Sequence, residues 1–264
     1  MLYVLYFPGV CILIAAAMSK NELSTEELLT KRGAFIRDMF ASIAGIYDLM
    51  NSVLSLMFDR RWRDAAARAA RLPEDARVLD VCCGTGKLAL QYRRILGGQA
   101  RVIGADFCRE MILAGVRHMR PAERALLGFA EADTLLLPFP DNTFDAVSAA
   151  FGIRNVAGLG HGVAEMVRVA RPGGKVLILD FARPRGAVFR RIYEFYFTRI
   201  IPLAGRMVHR GRMSPYEYLP RSVLRFVTVS ELATMLAEHG IVNVETRELT
   251  MGIAALVIGT KKLI

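Results

Sequence analysis

Apolar and polar positions follow two rhythms along the chain. From Ser24 to Arg71 apolar residues recur at helical spacing, with Phe35, Met39, Ile43 and Ile46 behind a start marked by Thr25 and Glu27. From residue 77 onward, short apolar runs are separated by longer amphipathic stretches. This pattern predicts strands at 77–81, 101–105, 126–132, 144–150 and 174–181, with helices at about 86–96, 109–119 and 159–170 between them. Strand and helix in turn imply an α/β fold: a parallel sheet with helices on both faces, joined by right-handed crossovers. After Phe181 comes a helical segment rich in arginine and aromatic residues. A further helix is expected to begin at Ser230, with Glu231, and to run to His239, where Gly240 stops it. The last two apolar runs, 241–247 and 252–259, are joined so briefly that they should pair as an antiparallel ribbon at the sheet edge.

Composition changes this picture in three places. With 264 residues, 53% of them hydrophobic, the chain can bury one large core, and no internal repeat or long linker divides it. The expected organisation is an N-terminal helical region over 18–72 and one ligand-binding domain over 73–264, with a helical insertion at about 183–228. Residues 1–17 are almost wholly apolar, are interrupted by Pro8-Gly9 and end in Ala15-Ala16-Ala17. They suit either a hydrophobic anchor or a translation-start artefact ahead of a true start at Met18.

The net charge of +10 calls for an anionic partner, and its distribution narrows the choice. Between Arg185 and Arg225 nine arginines face two acids, Glu194 and Glu217, with Phe189, Tyr193, Phe195, Tyr196 and Phe197 among them. That mixture suits a membrane surface, an RNA or an ordinary solvated helix face. Cys11, Cys82, Cys83 and Cys108 have no zinc-site spacing, and the four histidines are scattered, so no metal and a reducing compartment are expected.

The chemistry concentrates in Arg77-Val-Leu-Asp-Val-Cys-Cys-Gly-Thr-Gly-Lys-Leu-Ala89, which reads as a buried strand breaking into a glycine turn and restarting as a helix. Gly84 and Gly86 permit backbone angles and a close ligand approach that a side chain would block. Free amides at a helix start then suit a nucleotide-like molecule. Asp106 ends the second strand, where a carboxylate can accept from both hydroxyls of a ribose, and Asp133 ends the third. Either alone could be a helix cap or a turn residue; together, at neighbouring strand ends, they favour a ligand. Gly84-Thr-Gly86-Lys-Leu-Ala89 also matches the fingerprint of dinucleotide binders. Those proteins carry a second βαβ half, whereas this chain closes in a hairpin.

Leu137-Pro-Phe-Pro-Asp-Asn-Thr-Phe-Asp-Ala-Val147 resembles the corresponding region of class I S-adenosylmethionine-dependent methyltransferases. The likeness sharpens in Tyr47-Asp-Leu-Met-Asn51 with Arg60-Arg-Trp62, then Phe151-Gly-Ile-Arg-Asn-Val156, Arg171-Pro-Gly-Gly174, Tyr218-Leu-Pro220 and Leu249-Thr-Met-Gly-Ile253. In this order they resemble the signatures of the ubiquinone/menaquinone biosynthesis C-methyltransferase family, from Phe40 to the end. The resemblance implies a Rossmann-like sheet of seven strands, mostly parallel with one antiparallel strand. It also implies S-adenosyl-L-methionine as cofactor, held by Asp80, Gly84, Thr85, Gly86, Asp106, Asp133 and Thr134. Ala150 stands where some relatives have Ser, and Ser52 where an acid or another polar residue is commoner.

The implied reaction is C-methylation of a prenylated quinol ring, with demethylmenaquinol the leading substrate. Loss of a phenolic proton makes the ring carbon beside it nucleophilic, and a cation or donor near that oxygen stabilises the charge. Arg154 and Asn155, following the fourth strand, are expected to orient or polarise the ring hydroxyl; the alternative is a structural pair that fixes the loop. Tyr47, Tyr218 and His209 are further candidates for the acceptor pocket, and no residue is assigned as proton acceptor. A long isoprenoid tail implies an anionic membrane surface as partner and a cytoplasmic enzyme peripherally bound to the inner face of the membrane. No nucleic-acid partner is expected, and a homodimer or a biosynthetic complex stays open. The rivals are a methyltransferase acting on RNA or another small molecule, and a non-catalytic scaffold subunit.

Overall fold

In the stretch Arg77–Val81, the side chains of Val78, Leu79 and Val81 are wholly shielded from solvent, as they must be in a strand covered on both faces. The computed structural model describes residues 2–7, 10–15, 25–201, 203 and 215–263. A hairpin, β1 (Leu2–Phe7) and β2 (Val10–Ala15), precedes three helices, α1 (Thr25–Ile43), α2 (Tyr47–Leu54) and α3 (Phe58–Ala69). Alternation follows: β3 (Arg77–Val81), α4 (Lys87–Leu96), β4 (Arg101–Asp106), α5 (Arg109–His118), a short α6 (Pro121–Arg124) and β5 (Leu127–Glu131). It continues with β6 (Phe144–Ala150), α7 (Leu159–Val169) and β7 (Ala170–Phe181). The insertion holds α8 (Ala187–Phe195), a π-helical turn at Tyr196–Ile200 and α9 (Pro215–Arg225). The chain closes with α10 (Val229–Glu238), β8 (Ile241–Leu249) and β9 (Ala254–Lys261).

The strands lie in the order β2-β1-β5-β4-β3-β6-β7-β9-β8. From β5 to β7 every neighbour is parallel, while β9 runs antiparallel to both β7 and the edge strand β8. The seven strands from β3 onward are therefore the expected sheet, including its closing ribbon and single reversed strand. β1 and β2 extend it to nine, with β1 pairing through Leu5 and Tyr6 to Ala130 and Phe129 of β5.

Three boundaries differ from the sequence reading. The region from 24 to 71 is three helices rather than one continuous pattern. Its second break carries Leu56 (φ +50°) and Met57 (φ +66°) in left-handed backbone, at about 1–2 kcal/mol each, and no turn residue announces it. Strand β7 starts four residues early, where Ala170 pairs with Phe144. Helix α10 is capped by Thr228, not Ser230: its hydroxyl accepts from the Glu231 amide at 3.2 Å while Glu231 accepts from the Thr228 amide at 2.7 Å.

The insertion has a small core of its own, Tyr193, Phe197, Ile201 and Val223. Among the described residues no helix is long and apolar enough to cross a membrane. Helix α3 buries Trp62, Ala66 and Ala67, and the Trp62 indole donates to Thr250 Oγ1 at 2.8 Å in the β8–β9 connection. That bond holds α2 and α3 over the carboxyl ends of the parallel strands.

Candidate active site

The break after β3 is made by backbone that only glycine adopts without strain: φ is +56° at Gly84 and +77° at Gly86. A Cβ on Gly86 would stand 2.9 Å from the Phe129 ring, and one on Gly84 would stand 3.3 Å from Met111 Cε. Asp106 closes the turn from the next strand. Its Oδ2 accepts from the Gly84 amide at 2.7 Å and its Oδ1 from the Cys108 amide at 2.9 Å. Burial pushes its carboxyl up to about 6 in spite of these donors.

Asp80 lies deeper, accepting from Ser148 Oγ at 3.0 Å and the Ala89 amide at 3.2 Å, and burial pushes it up to about 7. The Thr85 hydroxyl donates to Asp48 Oδ1 at 2.7 Å, an oxygen that also lies 3.3 Å from Lys87 Nζ. Thr134 Oγ1 is 3.3 Å from the Cys82 thiol, and Asp133 Oδ1 accepts from the Leu135 amide at 2.9 Å.

These groups surround one cavity of about 570 Å³. Asp80, Gly84, Thr85, Asp106, Asp133 and Thr134, six of the seven residues expected to hold a cofactor, line it. Gly86 does not: it sits behind the turn against Phe129 and starts α4. Asp106 also departs from the simple expectation, since both its oxygens already accept a backbone amide, leaving one lone-pair direction on each for a ligand.

A second cavity, of about 430 Å³, adjoins the first and is walled by aromatic rings, among them Phe58, Trp62, Phe181, Tyr193 and Phe197. Phe40, Tyr47, Arg63 and Phe151 line both cavities and form the partition. Exposed apolar side chains, Leu56, Ile192 and Met251, stand at its edge.

Arg154 and Asn155 occupy a 3₁₀ turn after β6 and face different cavities, Arg154 the aromatic one and Asn155 the polar one. The Arg154 guanidinium is anchored: Nη1 donates to Asp180 Oδ1 at 2.6 Å and to the Phe151 carbonyl, and Nε to Ser222 Oγ at 3.4 Å. Burial pushes Asp180 up and Arg154 pulls it down. Asp180 Oδ2 and the Tyr193 hydroxyl are buried without a hydrogen-bond partner among the described residues. The Tyr218 hydroxyl donates to Asn155 Oδ1 at 3.0 Å. Tyr47 lies in the partition; burial pushes its hydroxyl up, against the pull of Arg154, Arg63 and a hydrogen bond with Asn51. His209 lies outside the described residues.

The sequence reading missed Asp48, Asp59, Arg63 and Asp180. Asp59 and Arg63 stand one helical turn apart and flank the Arg60-Arg-Trp62 string, a spacing that could have exposed them as a facing pair. Asp48 and Asp180 have no such local signal, because their partners are 37 and 26 residues away.

Residues 27–261 match the ubiE/COQ5 methyltransferase family. The chain belongs to that family. It is 41% identical over 247 residues to a ubiquinone/menaquinone biosynthesis C-methyltransferase of Geobacter sulfurreducens, covering 92% of this chain and 95% of the relative. It is 42% identical over 231 residues to a demethylmenaquinone methyltransferase of Deinococcus radiodurans, covering 88% and 94%. In fold it resembles a SAM-dependent methyltransferase from Aquifex aeolicus, with a TM-score of 0.54 at 19% identity over 75% of this chain and 88% of that one. A SAM-dependent methyltransferase from Thermotoga maritima gives 0.60 at 17% identity over 85% and 99%.

The protein is therefore an S-adenosylmethionine-dependent methyltransferase with the class I fold. The residues present suit that cofactor: carboxylates at two strand ends can accept from a ribose diol, and the glycine turn leaves no Cβ between its backbone and the cavity.

Proposed function

We propose that this enzyme C-methylates the ring of a prenylated quinol in menaquinone or ubiquinone biosynthesis, with demethylmenaquinol the leading substrate. The carrying observation is the aromatic cavity of about 430 Å³ that shares Phe40, Tyr47, Arg63 and Phe151 with the polar one. A flat ring seated there lies against the partition, and the apolar rim gives an isoprenoid tail a way out. Relatives named both as demethylmenaquinone methyltransferases and as ubiquinone/menaquinone biosynthesis C-methyltransferases support the reading.

S-adenosylmethionine, when bound, supplies an activated methyl on a sulfonium, whose S–C bond breaks as the ring carbon–methyl bond forms. Asp106 and Asp133 would hold the ribose, and Gly84 and Thr85 would shape its bed. The quinol hydroxyl first gives its proton to water; after transfer the ring C–H proton also passes to water, which restores the aromatic ring as a phenolate, and the oxygen takes a proton back, so that one proton is released per methyl transferred. Arg154, fixed by Asp180, keeps one nitrogen, Nη2, without an acceptor among the described residues and able to orient a ring oxygen, and Tyr218 of the aromatic cavity donates to Asn155 of the polar one.

The membrane partner is part of the same proposal. Helix α8 exposes Val188, Ile192 and Phe195, a spacing that puts them on one face, with Arg190, Arg191 and Arg199 exposed beside them. Such a surface suits an anionic bilayer in which the tail resides.

The test is purified protein with radiolabelled S-adenosylmethionine and membrane extract from a strain lacking quinone methylation, followed by identification of the labelled product. Label in a prenylated quinol is expected. Label in RNA, or none despite cofactor binding, would sink the reading.

A further inference from the structure

Asp59 and Arg63 form a buried ion pair inside the wall of an apolar cavity: Arg63 Nη1 to Asp59 Oδ2 is 2.6 Å, and both side chains are nearly sealed from solvent. Removing two charges from water costs more than such a pair commonly returns, so apolar residues would stabilise this wall at least as well. The pair must be asked for a function.

Three features single out the guanidinium. Asp59 engages only Nη1, through its carboxylate and its carbonyl, and no other described residue accepts from Arg63, so among the described residues Nε and Nη2 have no acceptor. The planar fork is nevertheless fixed, because it lies 5.1 Å from the centre of the Phe151 ring and Ser55 Oγ steadies Asp59 at 3.1 Å. Arg63 also belongs to the partition and lines both cavities, whereas Arg154 lines only the aromatic one and has Nη1 and Nε committed.

We infer that Arg63 is a catalytic residue of the methyl transfer, its free N–H groups holding the ring oxygen beside the methylated carbon as a phenolate while Asp59 and Phe151 position the fork. This rests on the quinol reading above. The partition already contains a phenol that reports the field: the Tyr47 hydroxyl is pulled down by Arg154 and Arg63 against its burial. A quinol hydroxyl in the same chamber meets the same cations. The charged and titratable groups that act with Arg63 are Asp59 from α3, Tyr47 from α2 and Asp80 from β3, with Arg154, from the turn after β6, acting on the same Tyr47 hydroxyl.

The experiment measures single-turnover methylation of demethylmenaquinol in vesicles against pH, for wild type, Arg63→Gln, Arg63→Lys and Asp59→Asn. Losing the cation should lower the rate of Arg63→Gln about 100-fold near neutrality and move the pH midpoint up by about one unit or more. Arg63→Lys keeps the charge without the fork and should recover a midpoint near the wild type. Asp59→Asn removes the opposing anion and should move the midpoint down. A midpoint that stays put in Arg63→Gln, or one that fails to fall in Asp59→Asn, overturns the role of Arg63 alone. A wild type that leaves the quinol unlabelled overturns the quinol reading and this inference with it.

Discussion

Asp106→Asn separates the two things Asp106 does, closing the glycine turn and, on the present reading, holding the ribose. Its carboxyl titrates near 6 in the fold against 3.8 in an extended chain. Between about pH 4 and pH 6 the unfolded chain has released this proton and the folded one has not, so folding weakens as pH rises through that window. It levels off once Asp106 ionises. The whole penalty is about 3 kcal/mol. Asn removes it, but its NH₂ cannot accept, so one of the Gly84 and Cys108 amides is left unpaired at about 1–3 kcal/mol. These nearly offset, and the variant folds.

Cofactor binding is not spared. Hydrogen bonds to a charged acceptor are worth about 1.5–3 kcal/mol each, so exchanging carboxylate for amide should cost about 2 kcal/mol or more, roughly thirtyfold in affinity. Calorimetric titration with S-adenosylhomocysteine between pH 5 and 8 reads both effects. Wild-type affinity should fall as pH drops below about 6, and the variant should lack that limb. Asp80, pushed to about 7 chiefly by burial, titrates in both proteins, and the charge of Asp106 is the weakest of the influences on it, so the difference between them reports mainly Asp106. Equal affinities at pH 7.5 would refute the placement of the ribose.

Asp180→Ala leaves the buried Arg154 guanidinium without its anion and should lower the unfolding free energy by about 3–5 kcal/mol, read as a fall in the urea midpoint; an unmoved midpoint would deny the pair its anchoring role. Gly86→Ala forces an L-residue into φ +77° and a methyl to within 2.9 Å of Phe129, so a loss of about 2 kcal/mol or more is expected by thermal unfolding. Replacing Arg190, Arg191 and Arg199 by Gln should weaken binding to anionic vesicles by about 1 kcal/mol each at low salt, roughly 100-fold in all. The deficit should shrink at high salt, and unchanged binding at low salt would count against a basic membrane face.

The sheet was legible because parallel strands buried on both faces leave uninterrupted apolar runs, and β3, β4 and β6 stand within a residue of their expected bounds. The polar cavity was legible for a related reason: strands in parallel register bring their ends to one edge, so Asp106, which ends β4, and Asp133, two residues past the end of β5, line the same cavity as the turn after β3. The break at Leu56-Met57 was not legible, since neither residue favours left-handed backbone and what spans the turn is backbone hydrogen bonding, from the Met57 amide to the Ser52 carbonyl at 2.7 Å and from the Phe58 amide to the Ser55 carbonyl at 3.0 Å. Nor was the aromatic cavity, whose walls come from α1, α2, α3, α8, α9 and the strand ends, elements that no periodicity relates.

That difference explains where the family-specific strings lie. The polar cavity is built mainly on the sheet and its glycine turn, whereas the aromatic one depends on helices, α2 and α3 among them, that cross the strand ends. Tyr47 and Arg63 from this helix pair stand in the partition; Asp48 ties the pair to Thr85 on the polar side, and Trp62 ties it to Thr250 on the aromatic side. A shift of the pair therefore alters both walls together, and any coupling it carries between the two ligands is reciprocal in free energy. The strings around Tyr47-Asn51 and Arg60-Trp62 thus sit before the glycine turn in sequence yet against it in space, in the helix pair whose Tyr47 and Arg63 line both cavities.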